Sequence, residues 1–219
     1  MSVNDKLREY VSPDYLANMP ETFGMLDDVW TELREKSRVE AIRPHPDLML
    51  RCFLVTPLST VRVVLLGNEP YLDGSGNGLA YDARRYTKVS PSLSNILKRI
   101  ETEFGTVTDT GDSYLGHLPP QGVLLLNRSL SSAAGKKNAH REIWAPFFES
   151  FVEDLNKLEK IVWVLWGEAL HNINVTNPTH VVVRGPSPSP LAGKEFLNTN
   201  IFHNINNSLL EMGQVPIQW

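Results

Sequence analysis

The run Val61–Leu66 carries a single charge, Arg62, and closes on Gly67, Asn68, Glu69, Pro70 and Tyr71. Apolar and β-branched residues without alternation read as a strand buried on both faces of a parallel sheet. Pro70 has no N–H to give a ladder and stops the strand. Asn68, Glu69 and Tyr71 are therefore expected at the carboxyl end of a buried strand, where open α/β sheets hold their ligands. A carboxylate in that place can orient a water or face a developing positive charge. A second buried run, Gly122–Asn127, ends in an amide, which offers both a donor and an acceptor. A further strand over His180–Arg184 runs into Gly185–Leu191, GPSPSPL, a stiff proline loop bearing Ser187, Ser189 and Leu191. Three strand ends thus turn chemistry toward one side of a sheet.

The elements between these strands supply the frame. Residues 1–24 read as irregular, punctuated by Pro13, Pro20 and Gly24. Met25–Arg38 carries Leu26, Val29, Trp30 and Leu33 at helical spacing. Asp47 is expected to cap a short helix through Phe53. Asp73–Asp82, DGSGNGLAYD, is a glycine-rich loop able to bring backbone close to a ligand. Pro91 opens a helix with Leu93, Ile96, Leu97 and Ile100 on its apolar stripe. Thr106–Leu118 reads as polar loop, and Ser131–His140 as a small, basic, mobile one. Trp144–Leu158 is a helix, Ile161–Trp166 a strand, and Gly167-Glu168 the start of a helix behind it. A last helix spans Asn198–Met212. Alternating strands and helices imply an α/β single domain over 1–219, with a central four-stranded, mainly parallel sheet between helices.

Composition narrows the class. With 42% hydrophobic and 21% charged residues in 219, the chain has enough apolar surface for a core and is not disordered. No apolar run spans a bilayer and the first residues are polar, so a cytoplasmic protein, or a nuclear one in a eukaryote, is expected. Cys52 is the only cysteine, which excludes a disulfide framework and a cysteine-rich metal site. The histidines lack metal-ligand spacing, so no metal and no cofactor are expected. The net charge of −4 argues against a protein that coats nucleic acid, yet Arg84, Arg85, Lys88, Lys98, Arg99, Lys136, Lys137 and Arg141 all flank the loops above.

The order of motifs is more telling than any one of them. GNEPY resembles GQDPY, the water-activating motif of family 1 uracil-DNA glycosylases, and PSLSNI resembles that family's proline-rich loop and helix. QGVLLLNRSL resembles the strand carrying its base-reading asparagine, and VLWGEAL its glycine-serine loop. PSPSPL resembles its leucine intercalation loop HPSPL, and the ending PIQW resembles PIDW. The resemblance covers about Val61 to Trp219. It implies a monomeric enzyme that takes a base out of DNA and hydrolyses its N-glycosidic bond. Residue by residue, it gives Glu69, Asn68 and Ser187 the catalytic places and Tyr71, Tyr81 and Asn127 the base-binding ones. Tyr81 matches the stacking aromatic, Tyr71 the ring that crowds carbon 5, and Asn127 the amide at the Watson–Crick edge. Ser92, Gly167, Ser189 and Leu191 take the DNA-binding places, with Leu191 the side chain that fills the vacated stack.

The catalytic loops depart from the pattern. Glu69 replaces the family's aspartate and reaches one methylene further. Asn68 shortens its glutamine, and Leu72 replaces its second histidine. Ser187 stands where the family has the histidine that donates to the leaving base. Glu168 replaces a loop serine at phosphate and adds a repulsive charge. His140, in NAHREIW, is retained and reads as a structural histidine. These changes motivate a modified substrate, such as a hydroxymethylated or glucosylated pyrimidine of phage DNA excised in defence, beside the uracil of repair. They also motivate a second class, a module that binds DNA or a base without excision, and a third, an interaction scaffold.

Overall fold

The computed structural model describes residues 9–105, 113–167 and 170–219. Its centre is a four-stranded sheet of β2 (Val63–Gly67), β3 (Val123–Asn127), β5 (Val162–Trp166) and β6 (Val181–Gly185). The strands lie in the order β3-β2-β5-β6 and every pairing is parallel. β2, β3 and β5 are buried at every position, which is why their sequences show no alternation. Strand β3 lies on one side of β2 and β5 on the other. The chain therefore reverses its direction of travel across the sheet at β2, and the crevice beyond the β2 and β5 carboxyl ends is the switch point.

Two helix groups flank the sheet. The first comprises α1 (Pro13–Asn18), α2 (Pro20–Gly24), α3 (Leu26–Lys36), α4 (Arg51–Val55) and, later, α6 (Arg141–Leu155). Tyr15, Phe23, Phe53, Phe147 and Phe151 interlock there, ring centroids 5.1–6.3 Å apart and most pairs edge-on or tilted. The second comprises α5 (Pro91–Phe104), α7 (Gly193–Leu197) and α8 (Ile201–Glu211). Trp166 meets Phe196 and Phe202 edge-on in it.

The N-terminal segment is not irregular from residue 13 onward. Pro13 and Pro20 each open a short helix, because a proline at the first helical position gives up only an N–H that has no partner anyway. Asp47 caps nothing: it lies inside a single 3-10 turn, Pro46–Leu48, and α4 has no side-chain cap. The helix expected over Asn198–Met212 is α8, Ile201–Glu211, and the short α7 before it was not expected. Among the described residues the connection from β5 to β6 contains no α-helix, and Glu168 lies outside them, as do residues 106–112. The Ser131–His140 loop is pinned rather than mobile. Its β4 (Ser132–Ala133) pairs antiparallel with β1 (Ile42–Arg43), and Ser131, Ser132 and His140 are fully buried. Its basic residues conceal this, because Lys136 and Lys137 occupy only the exposed tip.

Candidate active site

Where the switch point predicts a ligand, the structure has a cleft of about 180 Å3. Gly67, Asn68, Glu69, Pro70 and Tyr71 line it from the end of β2, Asn127 from β3 and Trp166 from β5. Leu79 and Tyr81 close it from the glycine-rich loop, Ser92 from α5, and Ser187 and Ser189 from the proline loop. Asn68, Glu69, Tyr71, Tyr81, Ser92, Asn127, Ser187 and Ser189 thus converge from segments far apart in sequence. Gly167 does not line the cleft but backs it: at φ 86° it sits where a Cβ would come 3.0 Å from the Ser187 Cβ. Leu191 stands beyond the rim, 98% exposed.

The glycine-rich loop is ordered around buried Asp82. That carboxylate accepts the amides of Ala83, Tyr114 and Leu115 at 2.9–3.0 Å and the Asn77 amide at 2.8 Å. Ala80 N–H reaches the Leu125 carbonyl on β3 at 3.0 Å. So fixed, Tyr81 takes a left-handed conformation at φ 63°, costly for a bulky residue and retained only where the surroundings over-determine it. Its hydroxyl donates to Leu66 O at 3.2 Å and its ring packs on Trp166 at 5.4 Å.

Tyr71 is held by a chain of hydroxyls. Leu93 N–H donates to Ser90 Oγ at 3.1 Å as the cap of α5, Ser90 donates to Tyr71 Oη at 2.7 Å, and Tyr71 donates to Tyr81 O at 2.6 Å. Burial pushes both phenols well above their ordinary range, so each stays a neutral donor.

Asn127 is 5% exposed and faces Gly67 across the β2–β3 register. Its amide has no hydrogen-bond partner among the described residues and remains available to a ligand. Glu69 is half-buried. Its Oε2 accepts the Ser132 hydroxyl at 2.9 Å and the Asn138 N–H at 2.7 Å, while Oε1 accepts nothing from the described residues. Ser187 Oγ accepts the Ser189 N–H at 3.2 Å, which leaves the hydroxyl proton to donate elsewhere. Asn95 on α5 donates to Pro188 O at 2.9 Å and fixes the loop that carries both serines.

His140 lies away from the cleft, fully buried, with Nδ1 2.9 Å from Ser131 Oγ and Nε2 3.1 Å from Glu40 Oε1. It is a structural histidine and not a donor to a ligand here. Its ring is the largest cause that holds the Glu40 carboxyl below the usual range.

Arg99 does not belong to a basic surface. It is buried, bridged to Glu103 at 2.8 Å, and it donates to Leu197 O at 2.7 Å. Its helical spacing put it on the inward face, beside Ile96 and Ile100. Lys136 is exposed but lies 3.5 Å from Glu40. No group of three metal-binding side chains occurs among the described residues, nor does a helix long and apolar enough to cross a membrane.

Sequence reasoning missed Trp166, Leu79, Ser132 and Asn138. Trp166 was findable, because it ends the strand IVWVLW at the same edge as Gly67. Ser132 and Asn138 carried no local signal, since they meet Glu69 across 63 and 69 positions of chain.

The sequence model of the uracil DNA glycosylase superfamily matches residues 54–210. "Uracil-DNA glycosylase 1" of Listeria monocytogenes serotype 4b (strain F2365) is 36% identical over 186 residues, 81% of this chain and 83% of that protein. "Uracil-DNA glycosylase" of Streptococcus pneumoniae (strain Hungary19A-6) is 35% identical over 210 residues, 93% of this chain and 94% of its own. In fold, the crystal structure of mimivirus uracil-DNA glycosylase matches with a TM-score of 0.85 at 18% identity, covering 97% of this chain and 88% of that one. The UNG crystal structure from Nitratifractor salsuginis matches at 0.71 and 19% identity, with 98% of each chain covered. The cleft at the switch point, the motif order and these relatives agree: the chain belongs to the uracil-DNA glycosylase superfamily.

Proposed function

We propose that this protein is a DNA glycosylase that extrudes uracil from DNA and hydrolyses its N-glycosidic bond. One observation carries the reading. A carboxylate, an unpartnered amide, a stacking phenol and a free hydroxyl proton converge on a single cleft of about 180 Å3.

The extruded base stacks on Tyr81, a contact worth roughly 1–3 kcal/mol. The Asn127 amide donates to O4 of uracil and accepts from N3–H. Tyr71, locked between Ser90 and Tyr81, walls off carbon 5. Leu191, exposed at the rim, enters the duplex where the base has left. Ser92 and Ser189 reach the phosphates, as hydroxyls that position without reading sequence. As the C1′–N1 bond breaks, its electron pair moves onto the base and positive charge spreads over the sugar. The Glu69 carboxylate stabilises that cation and turns a water toward C1′. The oxygen of that water bonds to C1′ and a water proton passes to Glu69. The Ser187 hydroxyl donates toward the anionic base. The uracil anion takes up a proton from solvent as it leaves and Glu69 returns its proton to solvent, so free uracil and an abasic site result.

The cleft of about 180 Å3 has room for one bare pyrimidine ring. With Tyr71 fixed, uracil is preferred over a base carrying a sugar.

The test is mass spectrometry of free bases released from oligonucleotides containing uracil, hydroxymethylcytosine or glucosylated hydroxymethylcytosine. Uracil release that Glu69→Gln abolishes is the expected result. Release of a modified base alone overturns the substrate. Release of none, with DNA binding intact, overturns the enzyme in favour of a binding module.

A further inference from the structure

Position 69 is glutamate where the resembled motif has aspartate, and the structure gives that extra methylene a destination. Glu69 Oε2 is received by Ser132 Oγ and Asn138 N–H at 2.9 and 2.7 Å. Ser132 opens β4, and Asn138 lies in the segment between β4 and α6. The Ser132 hydroxyl also lies 2.9 Å from Lys136 O, and it has one proton to give. The charged carboxylate is the stronger acceptor of the two and takes it. Asn138 presents its N–H from a left-handed backbone at φ 56°, which asparagine tolerates better than most residues.

The segment itself is braced. Ala134 N–H donates to Ala41 O at 2.7 Å, and Gly135 N–H to Leu72 O at 3.3 Å, only three residues beyond Glu69. Behind it, Trp144 Nε1 donates to Ser131 Oγ at 2.8 Å, and Ser131 continues through His140 to Glu40. Glu40 is ionised and accepts only, so His140 carries its proton on Nε2 and Nδ1 receives the Ser131 hydroxyl. Every polar group of this relay is matched, which makes the receiving segment rigid.

We propose that Ser132 and Asn138 are positioning residues fitted to a glutamate at position 69. They fix Oε2 so that Oε1 points where water and sugar must be, and an aspartate falls short of them by one methylene. This inference rests on the glycosylase reading above.

The test is a set of single-turnover measurements on Glu69→Asp, Ser132→Ala, Ser132→Thr and Glu69→Asp/Ser132→Ala, with unfolding midpoints alongside. Glu69→Asp is expected to fall about 10²-fold below wild type, the cost of an ångström-scale misplacement, although it restores the residue of the resembled motif. Ser132→Ala should lose roughly tenfold in kcat, one hydrogen bond to a charged group, with KM and the unfolding midpoint unchanged. Ser132→Thr should recover the loss. The double variant should be no slower than Glu69→Asp, because the contact is already gone. Aspartate as fast as glutamate, or fully additive losses, overturns the proposal. If wild type releases no base, the function fails and the cradle is read separately from the Glu69 13Cδ resonance of the free protein. Ser132→Ala shifts that resonance if the contact exists, and an unmoved resonance overturns it.

Discussion

Adding one methyl group at Gly67 tests the base-reading amide more sharply than deleting the amide itself. Gly67 faces Asn127 in the β2–β3 register, and a Cβ built there falls inside the van der Waals envelope of Asn127 Oδ1. It also lies 3.2 Å from Ala80 Cβ, so it cannot lean away. The backbone at Gly67 is not left-handed, hence alanine brings no conformational strain and the whole effect is steric. Asn127 must retreat by roughly 1 Å, and a displacement of that size costs about 10²-fold in a positioned reaction. Gly67→Ala is therefore expected to lower kcat/KM for uracil release about 10²-fold. The assay is single-turnover cleavage of a uracil oligonucleotide, with the abasic product resolved on a denaturing gel. In an Asn127→Gly background there is no amide to displace, and the same alanine should cost nothing further. A Gly67→Ala enzyme within twofold of wild type, or one equally impaired in both backgrounds, would refute the reasoning.

The remaining predictions address the scaffold and the rim. Arg99→Met removes the guanidinium from the buried Glu103 carboxylate, which keeps the Phe202 and His203 N–H groups and the His203 ring, and should destabilise by about 1.5–3 kcal/mol, the range for a hydrogen bond to a charged group, seen as a lower midpoint in urea. His180 Nδ1 accepts from Trp163 Nε1 at 3.1 Å and its Nε2–H serves Leu158 O at 3.0 Å, so the ring is neutral when folded. Burial holds His180 and the unpartnered His117 below 6.5, so the unfolded chain binds their protons first. Their contribution to stability is complete above pH 6.5 and is lost as pH falls from there through the folded values, and His117→Phe should make that decline shallower in thermal melts. Leu191→Ala removes an exposed side chain, so the unfolding midpoint stays put while uracil release from duplex falls well below release from single strand.

The sheet was legible because its strands begin as short unbroken apolar runs, the pattern of β2, β3 and β5, which are buried at every position. The cleft was legible for the same reason, since Glu69, Asn127 and Ser187 each follow such a run. The N-terminal helices were not. Their prolines read as breaks, although a proline at the first helical position is also a start. Arg99 shows a second limit: charge argued for the surface, while its place one turn from Ile96 and next to Ile100 argued for the interior. Burial won because Glu103 and the Leu197 carbonyl satisfy the guanidinium. The bracing of the Ser131–His140 loop left no local trace, since its partners Ala41, Glu40 and Glu69 lie elsewhere in the chain.

The distribution of rigid and adaptable parts separates binding from chemistry. Asn127 and Trp166 stand on strand ends, while Tyr81 is tied to β2 through the Leu66 carbonyl and its neighbour Ala80 to β3 through that of Leu125. The backbone at these positions cannot move without moving the sheet. Glu69 and Ser187 stand on loops, each tuned by one or two hydrogen bonds that a single substitution changes. The two differ from the resembled motifs in opposite senses, for glutamate is longer than aspartate and serine shorter than histidine. A carboxylate drawn toward Ser132 and a donor drawn back toward Ser189 leave the base pocket itself unaltered. Perturbing a strand end such as Gly67 should therefore weaken substrate binding and turnover together. Perturbing Ser132 or Ser187 should lower kcat and leave KM in place, because only the transition state feels where the carboxylate and the donor point.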